Sequence, residues 1–176
     1  MGSIQFITLS QKQAEALSNS AIRNLYEKPV IISITQPGEK DAYLKVSCPI
    51  LRLQFDDIEY VGADKITNSP ITLFNKEHAR RIFEFINVTE PKTIITHCKA
   101  GVCRSAAVNA ALSKILLNED DEFFKTKVPN MLVYKTILEY YFCDFIESAN
   151  NKVPSIKSKY PFVYNTRWES FNTIDK

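Results

Sequence analysis

A cysteine at the end of a β-branched run, an arginine six residues later and a glycine between them are the residues of this chain best suited to chemistry. The segment reads His97, Cys98, Lys99, Ala100, Gly101, Val102, Cys103, Arg104, Ser105. It follows the short apolar run TIITH, 93 to 97, and precedes an alanine-rich helical pattern from Arg104 or Ser105 to Leu117. A turn between a buried strand and a buried helix directs backbone N–H groups inward, and the helix dipole adds positive potential. Such a turn suits a phosphate-like oxyanion held by residues 99 to 104. Gly101 gives the turn its close approach or a positive φ. The chain has only 4 glycines, so one in the middle of this turn is informative.

Inward N–H groups and Arg104 favour the thiolate of Cys98 over the thiol. The planar fork of Arg104 can grip two oxygens of a phosphoryl group. Ser105 can donate a hydroxyl hydrogen bond to the sulfur and so help it depart from a phosphorylated intermediate. His97 is expected to point away from the ligand, bond to nearby backbone and orient the cysteine, a supporting role rather than that of a base. Lys99 lies on the loop rim, either adding positive potential near the entrance or simply solvated. Cys103 has two readings: a partner that traps an oxidised Cys98 as a disulfide, or, preferred, a small packing residue.

His-Cys, five residues, Arg and then Ser resembles the signature of the cysteine-dependent protein tyrosine phosphatase superfamily, over about residues 50 to 145. In its short length the chain is similar to the compact dual-specificity group or to small bacterial-type tyrosine phosphatases. It is less similar to the low-molecular-weight group, whose cysteine loop lies near the N-terminus and whose acid lies downstream. The resemblance implies an α/β fold with a central, mostly parallel sheet flanked by helices on both faces. It implies Cys98 as nucleophile, Arg104 as phosphate-binding arginine, and two-step hydrolysis of a phosphomonoester on a phosphorylated protein or small molecule. Phosphotyrosine or mixed phosphotyrosine, phosphoserine and phosphothreonine specificity is the first expectation. Competing readings are a non-catalytic phosphate-binding module, or a phosphatase for a phosphoinositide or an RNA 5′-phosphate. Val102 stands where strongly basic lipid-phosphatase loops carry another cation, which leans against phosphoinositides.

Attack on phosphorus expels an alkoxide or phenoxide, so a carboxylic acid is expected within reach, later acting as base towards water. The resemblance puts that aspartate on a loop upstream of the cysteine. Asp57 follows the strand that ends at Phe55 by one turn residue, and the phrase FDDI resembles small bacterial-type members. It stands 41 residues before Cys98, a longer gap than compact dual-specificity members have. Asp57 is the favoured acid, and Asp64, 34 residues before, and Asp56 stay open as alternatives. An aspartate in such a loop is otherwise a solvated carboxylate or a turn cap.

Several elements must position these groups. Strands are predicted at Ile4 to Thr8, at PVIISIT (29 to 35), from Ile50 to Phe55 and at 93 to 97. Ser10 is read as the cap of a helix from Gln11 to about Ser20. A turn covers Gln36 to Asp41, and an irregular stretch covers Glu59 to Leu73. Asn75 caps a helix with Ala79, Ile82, Phe83 and Ile86 on one face. A short helix covers Asp120 to Lys125, and Pro129 opens a long one to about Ala149. Strands alternating with helices indicate an α/β fold. One phosphatase domain is expected over residues 1 to 150, with an extension at 151 to 176 in which Trp168 and Phe171 are packing anchors.

Composition narrows the class. The chain has 176 residues, 45% of them hydrophobic, enough to build a core without disulfides or metals. Its 22 basic and 20 acidic residues nearly balance, which by itself argues neither for nor against a nucleic-acid partner; none is expected. The cysteines at 48, 98, 103 and 143 do not have the spacing of a redox pair or a zinc site. No cofactor or metal is expected, because Arg104 and the loop N–H groups supply the positive charge. The opening residues lack a signal-peptide pattern, and the apolar runs fall well short of the roughly 20 residues of a membrane span. A soluble cytoplasmic protein without a membrane partner is therefore expected.

Overall fold

β-Branched runs bounded by turn residues become the strands of a parallel sheet. The computed structural model describes residues 4–59 and 70–145. Strands β1 (Gln5–Ser10), β2 (Pro29–Thr35), β3 (Ile50–Gln54) and β4 (Thr93–Cys98) hydrogen-bond in the order β1-β4-β2-β3. Every pairing is parallel. β4 lies between β1 and β2 and is buried along its whole length. A strand buried on both faces must be apolar or internally bonded, which explains its run of Thr and Ile. β1 runs two residues further than predicted, because Ser10 pairs with Cys98.

Period-two alternation divides the strand side chains between two cores. Val30, Ile32, Ile34, Leu53 and Ile94 pack beneath α3 (Lys76–Thr89), α4 (Arg104–Leu117) and α6 (Met131–Glu139). Ile31 and Ile95 form the other core with Ile22 of α2 (Asn19–Leu25), covered also by Leu44, Val46 and Cys48. α1 (Gln11–Glu15) follows β1 directly, and α5 (Asp121–Thr126) joins α4 to α6. This is the expected parallel α/β architecture with helices on both faces. Among the described residues, no helix is long and apolar enough to cross a membrane.

α4 is buried over most of its 14 residues, so its one amide side chain must be bonded. Asn109 Nδ2 donates to Ile7 O at 3.0 Å and Thr8 Oγ1 at 2.9 Å, while Thr96 Oγ1 donates to Asn109 Oδ1 at 2.7 Å. This side chain ties α4 to the two strands that flank the cysteine loop.

Several helix boundaries also differ from the sequence prediction. The helix predicted from Gln11 to Ser20 is two helices. Ser10 and Gln13 form a capping box on α1, but Ser18 adopts an extended backbone and accepts from Ala21 N–H, starting α2 afresh. α2 then continues to Leu25. Pro129 does not open α6; Asn130 caps it by accepting from Val133 N–H, and the helix begins at Met131. After Glu139 the chain widens into a π-helical segment, Tyr140–Phe145. The predicted end near Ala149, the 151 to 176 extension with Trp168 and Phe171, and most of the irregular 59 to 73 stretch lie outside the described residues.

Replacing Asn109 by Ala leaves the buried Thr96 hydroxyl and strand β1 without their partner. Urea unfolding of Asn109→Ala should show a loss of ~2–3 kcal/mol. A loss within experimental error would show that the bridge contributes nothing.

Candidate active site

The loop from Cys98 to Cys103 leaves the end of β4 and enters α4 at Arg104. Its carbonyls turn outward. Lys99 O accepts from Gln11 N–H at 3.3 Å, Val102 O from Val128 N–H at 3.3 Å, and Cys103 O from Ala107 N–H at 2.9 Å and Asn130 N–H at 3.3 Å. The N–H groups of Gly101, Val102 and Ser105 face the Cys98 sulfur instead. Gly101 makes this possible, with φ of +71°. A Cβ there would lie 2.5 Å from Leu9 C and 2.6 Å from Ser10 N, backbone atoms of β1 that cannot rotate away. The loop thus presses against β1 through a residue that must lack a side chain.

Cys98 is 2% exposed. Burial alone pushes its thiol up; the Ser105 hydroxyl, at 3.2 Å from Sγ, and the amides of Ser105, Gly101 and Val102 outweigh it and hold the thiol below its ordinary value. The N-terminus of α4 adds its partial positive charge. Cys103 behaves oppositely: burial first, then the charges of Asp57 and Cys98, push its thiol up. Among the described residues all the cysteines are free.

Arg104 is buried at the first position of α4. Its Nη1 donates to Phe55 O at 2.8 Å, and its guanidinium lies over the Phe55 ring at 6.0 Å. Its Nε has no hydrogen-bond partner among the described residues and stands 3.8 Å from Asp57 Oδ2. One edge of the guanidinium is therefore anchored on the chain following β3, and the Nε edge is the one available to a ligand oxygen.

Asp57 is brought to the cysteine loop. Its Oδ2 faces Arg104, its Oδ1 accepts from Asn130 Nδ2 at 3.0 Å, and a third of its side chain is exposed. Asp56 goes elsewhere: its Oδ2 accepts from Thr72 N–H at 2.8 Å, pinning the segment before α3. Asp64 lies outside the described residues. Lys99 and Ala100 are exposed on the rim, while Val102 and Cys103 are half-buried.

His97 points to the sheet face opposite Cys98, as alternation along a strand requires. Beside the backbone of Cys98, it has a side-chain partner. Its Nε2 meets Ser33 Oγ at 2.8 Å, and Ser33 is its register partner on β2. Burial, followed by the neighbouring Arg52 charge, pushes the ring pKa down to about 4. Sequence reasoning missed Asn130, the Phe55 carbonyl and Ser33. Asn130 had a readable signal, since Asn before an apolar helical run is an N-cap signature, but Pro129 drew the helix start.

Among the described residues, no group of three or more His, Cys, Asp or Glu side chains is arranged to hold a metal ion. No family model and no curated protein matches the chain. Solved structures do. The human tyrosine phosphatase-like serine/threonine/tyrosine-interacting protein is 20% identical with a TM-score of 0.49, over 77% of this chain and 90% of that one. Human DUSP28 is 14% identical with a TM-score of 0.49, over 84% and 95%. Tk-PTP in its active form is 18% identical with a TM-score of 0.38, over 79% and 93%.

Two measurements test the electrostatics. Peptide-resolved alkylation by iodoacetate should give Cys98 a midpoint below the ordinary 9.0, and Ser105→Ala should move it up by removing a donor to the thiolate. An ordinary midpoint in the wild type would contradict the site. For His97, the folded value near 4 lies below the ordinary 6.5, so the unfolded chain binds the proton more tightly. Its contribution is fully present above pH 6.5 and is lost as pH falls through the range down to about 4, on the order of 3 kcal/mol. Urea unfolding at pH 7 and pH 4 should therefore show a larger acid loss for the wild type than for His97→Asn; equal losses would contradict a neutral buried ring.

Proposed function

We propose that this chain is a cysteine-dependent phosphomonoesterase of the protein tyrosine phosphatase superfamily. The observation that carries the reading is the Cys98 sulfur, buried beneath converging donors at the start of α4 with Arg104 beside it. A buried thiol with a lowered pKa has little structural purpose, and donors arranged around it suit a tetrahedral oxyanion.

In the proposed mechanism, loop N–H groups and Arg104 hold the non-bridging oxygens of the phosphoryl group. The Cys98 thiolate attacks phosphorus in line, forming the S–P bond as the bond to the leaving oxygen breaks. Asp57, protonated, gives its proton to that oxygen. Water then attacks the cysteinyl-phosphate, passing a proton to the Asp57 carboxylate, and the S–P bond breaks to release inorganic phosphate. Ser105 donates to the departing thiolate. His97, on the other face of the sheet, positions β4 without touching the reacting atoms.

Phosphotyrosine or mixed phosphoprotein specificity is the substrate reading we favour, with a soluble cytoplasmic setting. Lys99 is the loop's one lysine, and its exposed place on the rim supports an anionic substrate without the dense positive charge that a polyphosphorylated headgroup calls for.

Metal-free hydrolysis of aryl phosphates tests the chemistry. Cys98→Ser should lower turnover at least about 10³-fold. Asp57→Asn should lose on the order of 10²-fold with phenyl phosphate and much less with 4-nitrophenyl phosphate, whose leaving group departs without a proton. Absence of wild-type turnover, with phosphate binding retained, would instead favour a phosphate-binding module. Comparing phosphotyrosine peptides, phosphoserine peptides, phosphoinositides and 5′-phosphorylated RNA would assign the substrate class.

A further inference from the structure

Asn130 is buried, 3% exposed, and its polar groups join α6, Asp57 and the cysteine loop. Its Oδ1 accepts from Val133 N–H at 3.1 Å, capping α6. That bond decides which end of the amide is oxygen, so the NH₂ end must face Asp57. Its Nδ2 donates to Asp57 Oδ1 at 3.0 Å. Its backbone N–H donates to Cys103 O in the cysteine loop at 3.3 Å. A second bond ties the start of α6 to the chain after β3 that carries Asp57: Met131 N–H donates to Glu59 Oε1 at 2.8 Å.

A carboxylic acid that delivers a proton must carry it on the oxygen facing the leaving group. An oxygen already accepting an N–H bond is the less suitable place for that proton, since a protonated carboxyl oxygen is better used as a donor. Oδ1 is committed to Asn130, whereas Oδ2 lies on the Arg104 side, 3.8 Å from Nε. We infer that Asn130 is a positioning residue for the acid step, directing the transferable proton to Asp57 Oδ2 and tying the acid to the nucleophile loop through one side chain and its own amide. This rests on the phosphatase reading above. Asn130 touches neither substrate nor nucleophile and acts through Asp57.

The test separates the cap from the positioning bond. Asn130→Asp keeps an acceptor for Val133 N–H but replaces the donor with a like charge against Asp57. Asn130→Ser keeps a capping oxygen whose shorter side chain does not reach Asp57. Both are assayed with phenyl phosphate and 4-nitrophenyl phosphate, alongside vanadate inhibition and thermal unfolding. The expected result is at least about a tenfold loss of kcat on phenyl phosphate, with a much smaller loss on 4-nitrophenyl phosphate and nearly unchanged vanadate inhibition. In the Asp57→Asn background the same substitutions should add little, because the residue they act through no longer carries a proton to give. Wild-type selectivity between the two esters in both variants would overturn the assignment, as would equal losses with and without Asp57. Absence of wild-type turnover on either ester would remove the phosphatase reading and this assignment with it. A wild-type enzyme whose selectivity ignores Asn130 removes the assignment alone.

Discussion

A sulfur taken out of water ionises only if its new surroundings solvate the anion better than burial penalises it. At Cys98 the Ser105 hydroxyl and backbone N–H groups act against the burial penalty, and the thiol is held below its ordinary value despite near-complete burial. The rest of the site follows from meeting this condition. The N–H groups face inward only because the carbonyls of Lys99, Val102 and Cys103 find donors outside the loop, from Gln11, Val128 and Asn130. The loop reaches β1 only because Gly101 has no Cβ to strike Leu9 and Ser10. The burial itself comes from the central place of β4 in the sheet.

The opposite wall is built from the chain leaving β3. Phe55 serves two layers at once. Its ring packs edge-on against Phe74 at 4.9 Å, while its carbonyl accepts from Arg104. The two aspartates after it divide by direction, as successive side chains of an extended chain do. Asp56 binds the backbone of Thr72, and Asp57 turns to Arg104 and Asn130. Adjacent carboxylates of the same chemical type thus acquire different partners, one holding the segment that leads into α3 and one reaching the cysteine loop.

The far face of the sheet has a complementary logic. His97, Ser33 and Arg52 form a cross-strand row in register from β4 to β3, and Arg52 also donates to Ala42 O at 3.1 Å. A neutral imidazole suits this place. A second positive charge beside Arg52, out of water, would be costly, and the ring pKa is pushed down accordingly. One face of the sheet therefore carries Cys98 and Arg104, while this face keeps a neutral ring at His97 that braces the same strand.

The sequence alone determined the strand-loop-helix unit around Cys98, because its parts are contiguous. β-Branched residues end at the cysteine, glycine stands in the turn, and an alanine-rich helix starts at the arginine, so spacing along the chain is close to spacing in space. It also determined a parallel α/β sheet, since apolar runs alternate with helical patterns. It favoured Asp57 as the acid with Asp64 and Asp56 as alternatives, and it put the start of α6 at Pro129 rather than after Asn130. Tertiary structure decided that helix start, and it sent Asp56 to Thr72 and Asp57 to Arg104 and Asn130. The bond from Asn130 to Asp57 spans 73 residues of sequence, and only the packing of α6 and the chain after β3 against one loop brings the two side chains within 3.0 Å.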